Sequence, residues 1–212
     1  MPTVTLADLD ARVLHRVEEN SQFYQASSRY GAINESVRAT NLWTGFYQGR
    51  IPLSLSIPNR TIYDLPRNVL VPMSVYFNFK EIRKTSLPEI ASAKKDFMAR
   101  TGATDGRMRM WCPIGLRKIV VYPADYVGGR TMEVGGVLEP DPLVNPTDVV
   151  TIPDQYTEAI EEYAWFTLVL TEGGKVFSDA VMAYQKWHRL MMDCSMWTLD
   201  KNDRMLVEVS SR

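Results

Sequence analysis

Prolines divide this chain more sharply than any other residue type. Ten of the twelve prolines lie between residues 52 and 146. Because proline lacks the N–H that a helix needs, and its ring clashes with the preceding turn, this stretch cannot consist of long helices. Helical periodicity occurs on both sides of it instead. We therefore predict an α+β fold, in which an N-terminal helical hairpin and a C-terminal helix pair form a helical layer and the middle forms an antiparallel β-rich region.

The N-terminal region, residues 1–49, carries two apolar stripes at helical spacing. Thr5 is placed to cap a first helix together with Asp8, three residues later. The stripes are Leu6, Leu9, Val13 and Val17 in the first helix, and Tyr30, Ile33, Val37 and Asn41 in the second. The second helix is predicted to end near Gly45 or Gly49, which makes this region a helical hairpin.

The middle region, residues 50–152, changes to a period of two residues. Apolar and polar residues alternate from 51 to 57, and a turn at 58–60 would let residues 61–63 pair back on that strand. Residues 86–101 have the pattern of a short helix. Further strand candidates are 73–79, 111–113, 118–122 and 131–138.

A change of pattern within residues 149–170 marks the start of the C-terminal helix pair, residues 153–197. The β-branched run before Pro153 is typical of a strand, and Pro153 sets the backbone angle of a first helical turn. This helix is predicted to end near Gly173. The second helix is predicted over 175–197, with helical spacing of Val181, Tyr184, Trp187 or His188, Met191, and Cys194 or Ser195.

The last residues, 198–212, are too few to form a core of their own. We predict that they fray or dock on a partner as an extended arm. The docking candidates within them are Arg204, Met205, Leu206, Val207 and Val209.

The overall composition is that of an ordinary globular protein. Of the 212 residues, 45% are hydrophobic and 23% are charged, and the net charge is −1. This charge by itself predicts no nucleic-acid or membrane partner. No run approaches the roughly 18 apolar residues that cross a bilayer, and the N-terminus has no signal-peptide pattern. We therefore expect synthesis in the cytoplasm and no membrane association.

The charges are distributed unevenly along the chain. Residues 80–118 contain ten basic and four acidic residues, a net charge of +6, whereas residues 133–172 contain nine acidic residues and no lysine or arginine. A subunit with opposite charges on two faces can join head to tail with its own copies in a ring. The basic residues can equally be a nucleic-acid surface, or the two regions can pair within one subunit. The interface candidates are Glu158, Glu161, Glu162, Trp165, Lys94, Lys95, Arg107 and Arg109.

Residues with catalytic or metal-binding chemistry are few. His15 and His188 have no metal-ligand spacing, and Cys112 and Cys194 form no CxxC pair. The sequence contains neither a phosphate-binding glycine loop nor a G-x-S-x-G motif. These observations predict no metal site and leave a Ser-His-Asp hydrolase without its nucleophile motif. We interpret the two cysteines as reduced, buried or half-buried thiols, and each histidine as a structural or surface residue.

The second half of the first C-terminal helix is apolar almost all round, in Trp165, Phe166, Leu168, Val169 and Leu170. Such a helix is buried on every side. Either a neighbouring subunit or a single intramolecular core can supply that burial, and the sequence leaves both possibilities open.

Five short motifs follow one another along nearly the whole chain. They are Ile33-Asn34-Glu35-Ser36-Val37, Tyr63-Asp64-Leu65-Pro66, Val121-Tyr122-Pro123, Glu139-Pro140-Asp141-Pro142, and the Ile-Pro-Asp-x-Tyr-x-x-Ala-Ile-x-x-Tyr-Ala pattern from Ile152 to Ala164. In this order they resemble the head-to-tail adaptor proteins of tailed bacteriophages. The order of the motifs carries the resemblance, since each motif alone is short.

The resemblance implies a structural virion protein of the head–tail junction, assembled in the host cytoplasm. Such a protein forms a homo-oligomeric, dodecameric ring that joins the portal to the tail or its nozzle. DNA passes through the lumen of the ring without sequence-specific binding. The resemblance implies no cofactor and no enzymatic activity, and it places the portal-docking arm at residues 200–212.

Two other classes of function remain open from the sequence. One is a small cell-wall glycan hydrolase of a phage tail, which would use carboxylates of the central region as acid and base. The other is a host-surface or carbohydrate-binding module, which would need aromatic residues grouped on one exposed face of the sheet.

Overall fold

A computed structural model describes residues 3–16, 24–93, 107–172 and 177–210 of the chain. The chain divides into two compact units. The helical unit consists of residues 1–47 and 139–212, and the β unit consists of residues 48–138. The α+β class predicted from the sequence is confirmed, with helices towards both ends of the chain and the sheet in the middle of the sequence.

The first N-terminal helix begins and the second ends at the predicted signals. Helix α1 spans Leu6–Arg16 and α2 spans Ala26–Thr44. The backbone N–H and the hydroxyl of Thr5 donate to Oδ2 of Asp8 at 2.9 and 2.7 Å, which caps α1. Gly45 ends α2 with a φ of 63°, a left-handed conformation that glycine adopts without strain. The predicted stripes are buried at Leu6, Leu9, Val13, Ile33, Val37 and Asn41, and Val17 lies outside the described residues.

The two C-terminal helices pack antiparallel. Helix α4 spans Thr157–Glu172 after a 3₁₀ turn at Asp154–Tyr156, and α5 spans Phe177–Ser210. The ring of Phe166 contacts that of Tyr184, whereas Ala159, near the start of α4, packs with Cys194. The buried stripe of α5 is Ala180, Ala183, Trp187, Met191 and Cys194. The predicted stripe was therefore wrong at Val181 and Tyr184, which are exposed, because small alanines face α4 instead.

Helix α5 is much longer than its partner. Its 34 residues span about 51 Å, whereas the 16 residues of α4 span about 24 Å. Because the two helices are antiparallel, the first turn of α4 lies beside Cys194. Residues 195–210 therefore continue α5 past the N-terminal end of α4. The extended conformation predicted for residues 198–212 is therefore wrong for 198–210, which are helical.

The burial of α4 is explained within the helical unit itself. On one side Ile160, Ala164 and Leu168 join a core formed with α1 and α2. On another side Ala159 packs against Trp187 and neighbouring residues of α5. The prediction that the second half of α4 is buried on every side was wrong, since Leu170 is exposed and Trp165 and Phe166 are half-buried. A single intramolecular core accounts for the burial that is present.

Residues 139–152 belong to the helical unit, although the sequence pattern placed them with the β region. The amide of Asn34 in α2 donates to the carbonyl of Leu143 at 2.9 Å, and its oxygen accepts the N–H of Leu143 at 2.7 Å. The segment contributes three side chains to the helical core, Leu143, Val150 and Ile152. The boundary between the units therefore falls at residue 138 rather than at residue 152.

The β unit is one seven-stranded sheet. Its strands are β1 (Gln48–Leu55), β2 (Ile62–Asp64), β3 (Val69–Phe77), β4 (Lys80–Lys84), β5 (Met110–Ile114), β6 (Lys118–Tyr122) and β7 (Thr131–Leu138), and a short helix α3 (Leu87–Ala93) follows β4. The order across the sheet is β1-β7-β3-β4-β5-β6-β2. All neighbours are antiparallel except β4 and β5.

The sheet is curled, and its connectivity explains why. The edge strands β1 and β2 are consecutive in the chain, joined by residues 56–61. Six gaps of about 4.8 Å would separate these edges by about 29 Å in a flat sheet. The fully extended connection from residue 55 to residue 62 reaches only about 24 Å. The sheet must therefore curve for both strands to join it.

A buried carboxylate ties the β1–β2 connection to the chain that leads into β7. The hydroxyl of Ser56 donates to Oδ2 of Asp125 at 2.6 Å, and the N–H of Ser56 donates to the carbonyl of Arg130 at 2.8 Å. The guanidinium of Arg130 lies 3.7 Å from Oδ1 of Asp125. These bonds fix the position of Arg130 at the entrance to β7.

Three sequence predictions for this unit need correction. Strand β2 pairs with β6 and not with β1, so the predicted hairpin across residues 58–60 is wrong. Strand β4 was not predicted, because it is a charged segment in which only Ile82 is buried. The predicted helix of residues 86–101 begins as α3, and its second part lies outside the described residues.

Candidate functional site

The glutamates of α4 that were predicted to face a neighbouring subunit have partners inside the helical unit. Glu162 is fully buried, and its Oε1 lies 2.5 Å from Arg16 and 2.7 Å from Nζ of Lys186. Lys186 also contacts Glu158 at 2.7 Å, and Arg12 contacts Glu161 at 2.9 Å. The prediction that Glu162 contributes to a subunit interface is therefore wrong, since the side chain is enclosed within its own subunit.

The ion pair between Glu158 and Lys186 changes the acidity of both groups. The hydrogen bond from Lys186 holds the pKa of Glu158 below its usual value. The bonds to Glu158 and then to Glu162 raise the pKa of Lys186. Glu158 and Lys186 therefore each stabilise the charged form of the other.

Most acidic residues of the segment 133–172 likewise have hydrogen-bond or ion-pair partners within the chain. Asp148 accepts the backbone N–H groups of Asn145 and Val144, which lowers its pKa. Asp154 accepts the hydroxyl and N–H of Thr3, which lowers its pKa as well. With the α4 glutamates and two further ion pairs, Glu133–Arg50 and Glu139–Arg38, seven of the nine acidic residues of the segment have partners in their own unit. The negative charge of this segment is therefore mostly neutralised within the chain and contributes little attraction for a neighbouring copy.

The remaining interface candidates have different environments. Trp165 is half-buried and packs against the helical core. Lys94 and Lys95 lie outside the described residues. Arg107 and Arg109 are exposed, and both line a cavity in the β unit.

This basic cavity has a volume of about 670 Å³, within the range of about 300–1,000 Å³ that is typical of ligand pockets. Among the described residues, five basic side chains and one acidic one line it, Lys80, Arg83, Arg107, Arg109, Arg130 and Glu81. Phe77, Asn78, Ile82 and Met108 line it as well. The excess of cations makes the cavity suited to an anion that carries several charges.

Three places in the β unit supply the basic side chains of the cavity. Strand β4 supplies Lys80 and Arg83, and the chain entering β5 supplies Arg107 and Arg109. The N–H of Arg83 donates to the carbonyl of Arg109 at 2.9 Å, which joins these two parts. Arg130 enters from the start of β7, and its guanidinium carbon lies 5.6 Å from the centre of the Phe77 ring.

The cations of the cavity differ in how far they are neutralised. Arg83 pairs with Glu89 at 2.8 Å, and Arg130 lies near Asp125. Lys80 and Arg107 have no acidic partner within the part of the chain that the structure describes. These two side chains are therefore the most available for an external anion.

The turn between β3 and β4 holds an exposed aromatic residue beside the cavity. Its two central residues, Asn78 and Phe79, have φ values of 50° and 64°, the pattern of a type I′ turn. Such turns favour glycine at the second of these positions, and a bulky side chain there is an outlier. Phe79 is nevertheless 70% exposed, so packing within the unit does not explain its presence.

An aromatic cluster lies on the helical unit. Trp43 contacts the rings of Trp187 and His188, with centroids 6.1 and 5.6 Å apart. Tyr163 and Tyr184 both pack on the ring of Trp187. His188 is therefore part of an aromatic packing surface, and His15 is exposed on α1.

The cysteines are free and buried, as predicted. Burial raises the pKa of the Cys112 thiol, and it raises the pKa of Cys194 to about 11. Within the described ranges, no group of three or more histidine, cysteine, aspartate or glutamate residues is placed to hold a metal ion. None of the described helices is long and apolar enough to cross a membrane.

Several residues that the alternative functions could use are buried or paired in the β unit. A carbohydrate-binding face would need exposed aromatic residues on the strands, but Trp111 and Tyr63 are buried. A glycan hydrolase would need a pair of available carboxylates. The buried carboxylate of Asp125 accepts the hydroxyl of Ser56, and Glu133 pairs with Arg50.

The sequence indicated the basic character of the region but not the cavity. Arg107 and Arg109 were singled out, whereas Lys80, Arg130 and Phe79 were not. The available signal was the Asn-Phe dipeptide between a strand and a charged segment, where Asn-Gly is the usual turn. Arg130 had no such signal, because the sheet brings it to the cavity from a distant part of the chain.

Comparison with known proteins identifies no family for this chain. No protein-family model matches it, and no curated protein matches it significantly. The function is therefore inferred from the chain itself.

Proposed function

We propose that this chain is a structural virion subunit, a head-to-tail adaptor that assembles into a ring between the portal and the tail. The observation that carries the proposal is the length of α5, which continues past the N-terminal end of α4 as far as Ser210. A helix that is longer than its packing partner offers a segment to another protein, and such helices dock into grooves. The candidate docking residues Arg204, Met205, Leu206, Val207 and Val209 belong to this segment.

The division into two units supports the same proposal. Both ends of the chain contribute to the helical unit, and the β unit is inserted between residues 47 and 139. One unit can then form the ring while the other contacts a tail or nozzle protein. DNA would pass through the lumen of the ring.

The contacts between copies need a different basis from the one the charge pattern predicted. The acidic residues of α4 have partners in their own unit, so opposite charge is not the main attraction in this proposal. Large apolar side chains of the helical unit are exposed instead, among them Leu42, Trp43, Met182 and Met192. Burial of apolar surface of this kind stabilises permanent subunit interfaces.

Negative-stain imaging of the purified chain, alone and mixed with a portal ring, tests the proposal. We expect rings, either of the chain alone or stacked on the portal. A chain that remains monomeric and never associates with a portal would exclude the adaptor function.

Removal of residues 201–212 tests the docking segment separately. We expect the truncated chain to keep its helical content and lose portal binding. The point variant Leu206→Gln should weaken binding, whereas Lys201→Gln, in the same helix but outside the docking candidates, should not. Glutamine suits a helix at both positions, so the pair compares side chains rather than helix stability. Normal docking by the truncated chain would show that the segment is wrongly assigned.

A further inference from the structure

We propose that the basic cavity of the β unit binds the phosphates of a nucleotide chain, and that Phe79 stacks on the adjoining base. This inference does not rest on the adaptor function. It rests on the cavity, its unneutralised cations and the conformation of the β3–β4 turn.

The first step is the charge of the cavity. Two of its five basic residues, Lys80 and Arg107, have no acidic partner in the described ranges, and the acidic segment that might have supplied one is already occupied within the chain. A ligand can supply the negative charge that the described residues do not. Phosphates are suitable, since arginine and lysine bind them through charge-assisted hydrogen bonds.

The second step is the aromatic ring at the edge of the cavity. Phe79 lies between Asn78 and Lys80, both of which line the cavity, and its side chain is 70% exposed. Proteins that bind single-stranded nucleic acid combine a positive groove with exposed aromatic rings on which bases stack. A base can stack on a side chain only when it is not paired in a duplex, so the geometry points to a single strand or a free nucleotide.

The third step is the backbone at this turn. A phenylalanine with a φ of 64° is held in a conformation that glycine would adopt without strain. A strained residue whose side chain is mostly exposed is typical of a ligand-binding position. We therefore assign the Phe79 ring to ligand binding and not to packing within the fold.

The experiment measures binding of the full purified chain by fluorescence anisotropy at several salt concentrations. The probe is a labelled oligothymidylate of about eight nucleotides, within the site sizes of single-strand binding proteins. The competitors are thymidine triphosphate, inorganic triphosphate and a duplex of the same length. Stronger binding of the oligonucleotide identifies a nucleic acid strand as the source of the phosphates, and equal competition by thymidine triphosphate identifies a free nucleotide.

Two sets of variants separate the contributions of charge and stacking. The double variant Lys80→Gln/Arg107→Gln should reduce the slope of log affinity against log salt by about 1.4, since each lost contact to a single strand contributes about 0.7. The control Arg117→Gln/Lys118→Gln removes the same charges from the same unit outside the cavity, and should leave the slope unchanged. Phe79→Ala should weaken binding by about 5- to 150-fold, which corresponds to about 1–3 kcal/mol for one stacked base.

Three results would overturn the proposal. One is the absence of saturable binding of any nucleotide probe. Another is equal loss of binding in the cavity variant and its control, which would mean that only net charge matters. The third is tight binding of inorganic triphosphate or duplex with no effect of Phe79→Ala, which would exclude a stacked base. Because no ring or portal is needed for these measurements, their failure is distinguishable from failure of the adaptor proposal.

Discussion

The two units of this protein use charge in opposite ways. In the helical unit, a buried carboxylate, Glu162, is enclosed by Arg16 and Lys186, and Arg29 pairs with Asp10 at 2.6 Å. In the β unit, five of the described side chains that line one cavity are basic, and two of these, Lys80 and Arg107, have no acidic partner among the described residues. The buried charges of the helical unit therefore serve the fold, whereas these two cations of the β unit are available to a ligand. This contrast separates residues whose loss should affect stability from residues whose loss should affect binding.

The largest expected effect is on the buried carboxylate of the helical unit. The double variant Arg16→Met/Lys186→Met leaves Glu162 without a cation in a dry environment. We expect the free energy of unfolding to fall by about 3–5 kcal/mol, the usual cost of removing one side of a buried ion pair. Urea unfolding measures this loss.

Adding Glu162→Met to that double variant provides the control. Replacement of a whole buried ion cluster by apolar residues is often neutral or stabilising, so most of the lost stability should return. A double variant as stable as the original chain would mean that Glu162 is not enclosed by its own subunit.

The next effect concerns a close approach of two strands in the β unit. A Cβ added at Gly136 in β7 would lie 2.1 Å from the carbonyl oxygen of Val71 in β3. Backbone atoms must move to admit it, so Gly136→Ala should destabilise the chain by about 3 kcal/mol. The matched substitution Gly31→Ala in α2 meets no atom within 4 Å, and should stabilise by about 0.5–1 kcal/mol because alanine favours a helix. Equal effects of the two substitutions in urea unfolding would contradict the strand packing described above.

A smaller effect is expected at the β3–β4 turn. Phe79→Gly relieves the left-handed conformation of a bulky residue and should raise the free energy of unfolding by about 1 kcal/mol, while oligonucleotide binding falls. Opposite changes in stability and binding are typical of a residue kept for a ligand. A loss of stability on this substitution would instead assign the ring a packing role.

The smallest expected effect is a loss of stability at low pH, which arises in the helical unit. Asp148, Asp154 and Glu158 all have lowered pKa values in the folded chain. Because these values lie below those of the unfolded chain, the stability they contribute is complete above about pH 4.5 and is lost as the pH falls through the folded values. Hydrogen exchange should show earlier loss of protection in α1 than in β7 on acidification. The variant Asp154→Asn should show a shallower pH dependence, and an unchanged one would contradict this assignment.

Local signals in the sequence predicted local structure well. The Thr5–Asp8 cap was predicted and is present, and the end of α2 that was predicted near Gly45 or Gly49 lies at Gly45, since each signal depends on residues a few positions apart. Strands β6 and β7 have the predicted bounds, because β-branched residues between turn signals favour a buried strand. Strand β4 was missed because its charged residues serve the cavity rather than a core.

The sequence by itself determined the class of the fold, the positions of most helices and strands, and the presence of one basic and one acidic region, since these follow from residue patterns within short windows. Only the tertiary structure decided which charges meet. Glu162 finds Arg16 and Lys186 from both ends of the chain, and Lys80, Arg107 and Arg130 converge on one cavity because the curled sheet brings β4, β5 and β7 together. Such contacts depend on chain topology, and the spacing of residues along the sequence carries no record of it.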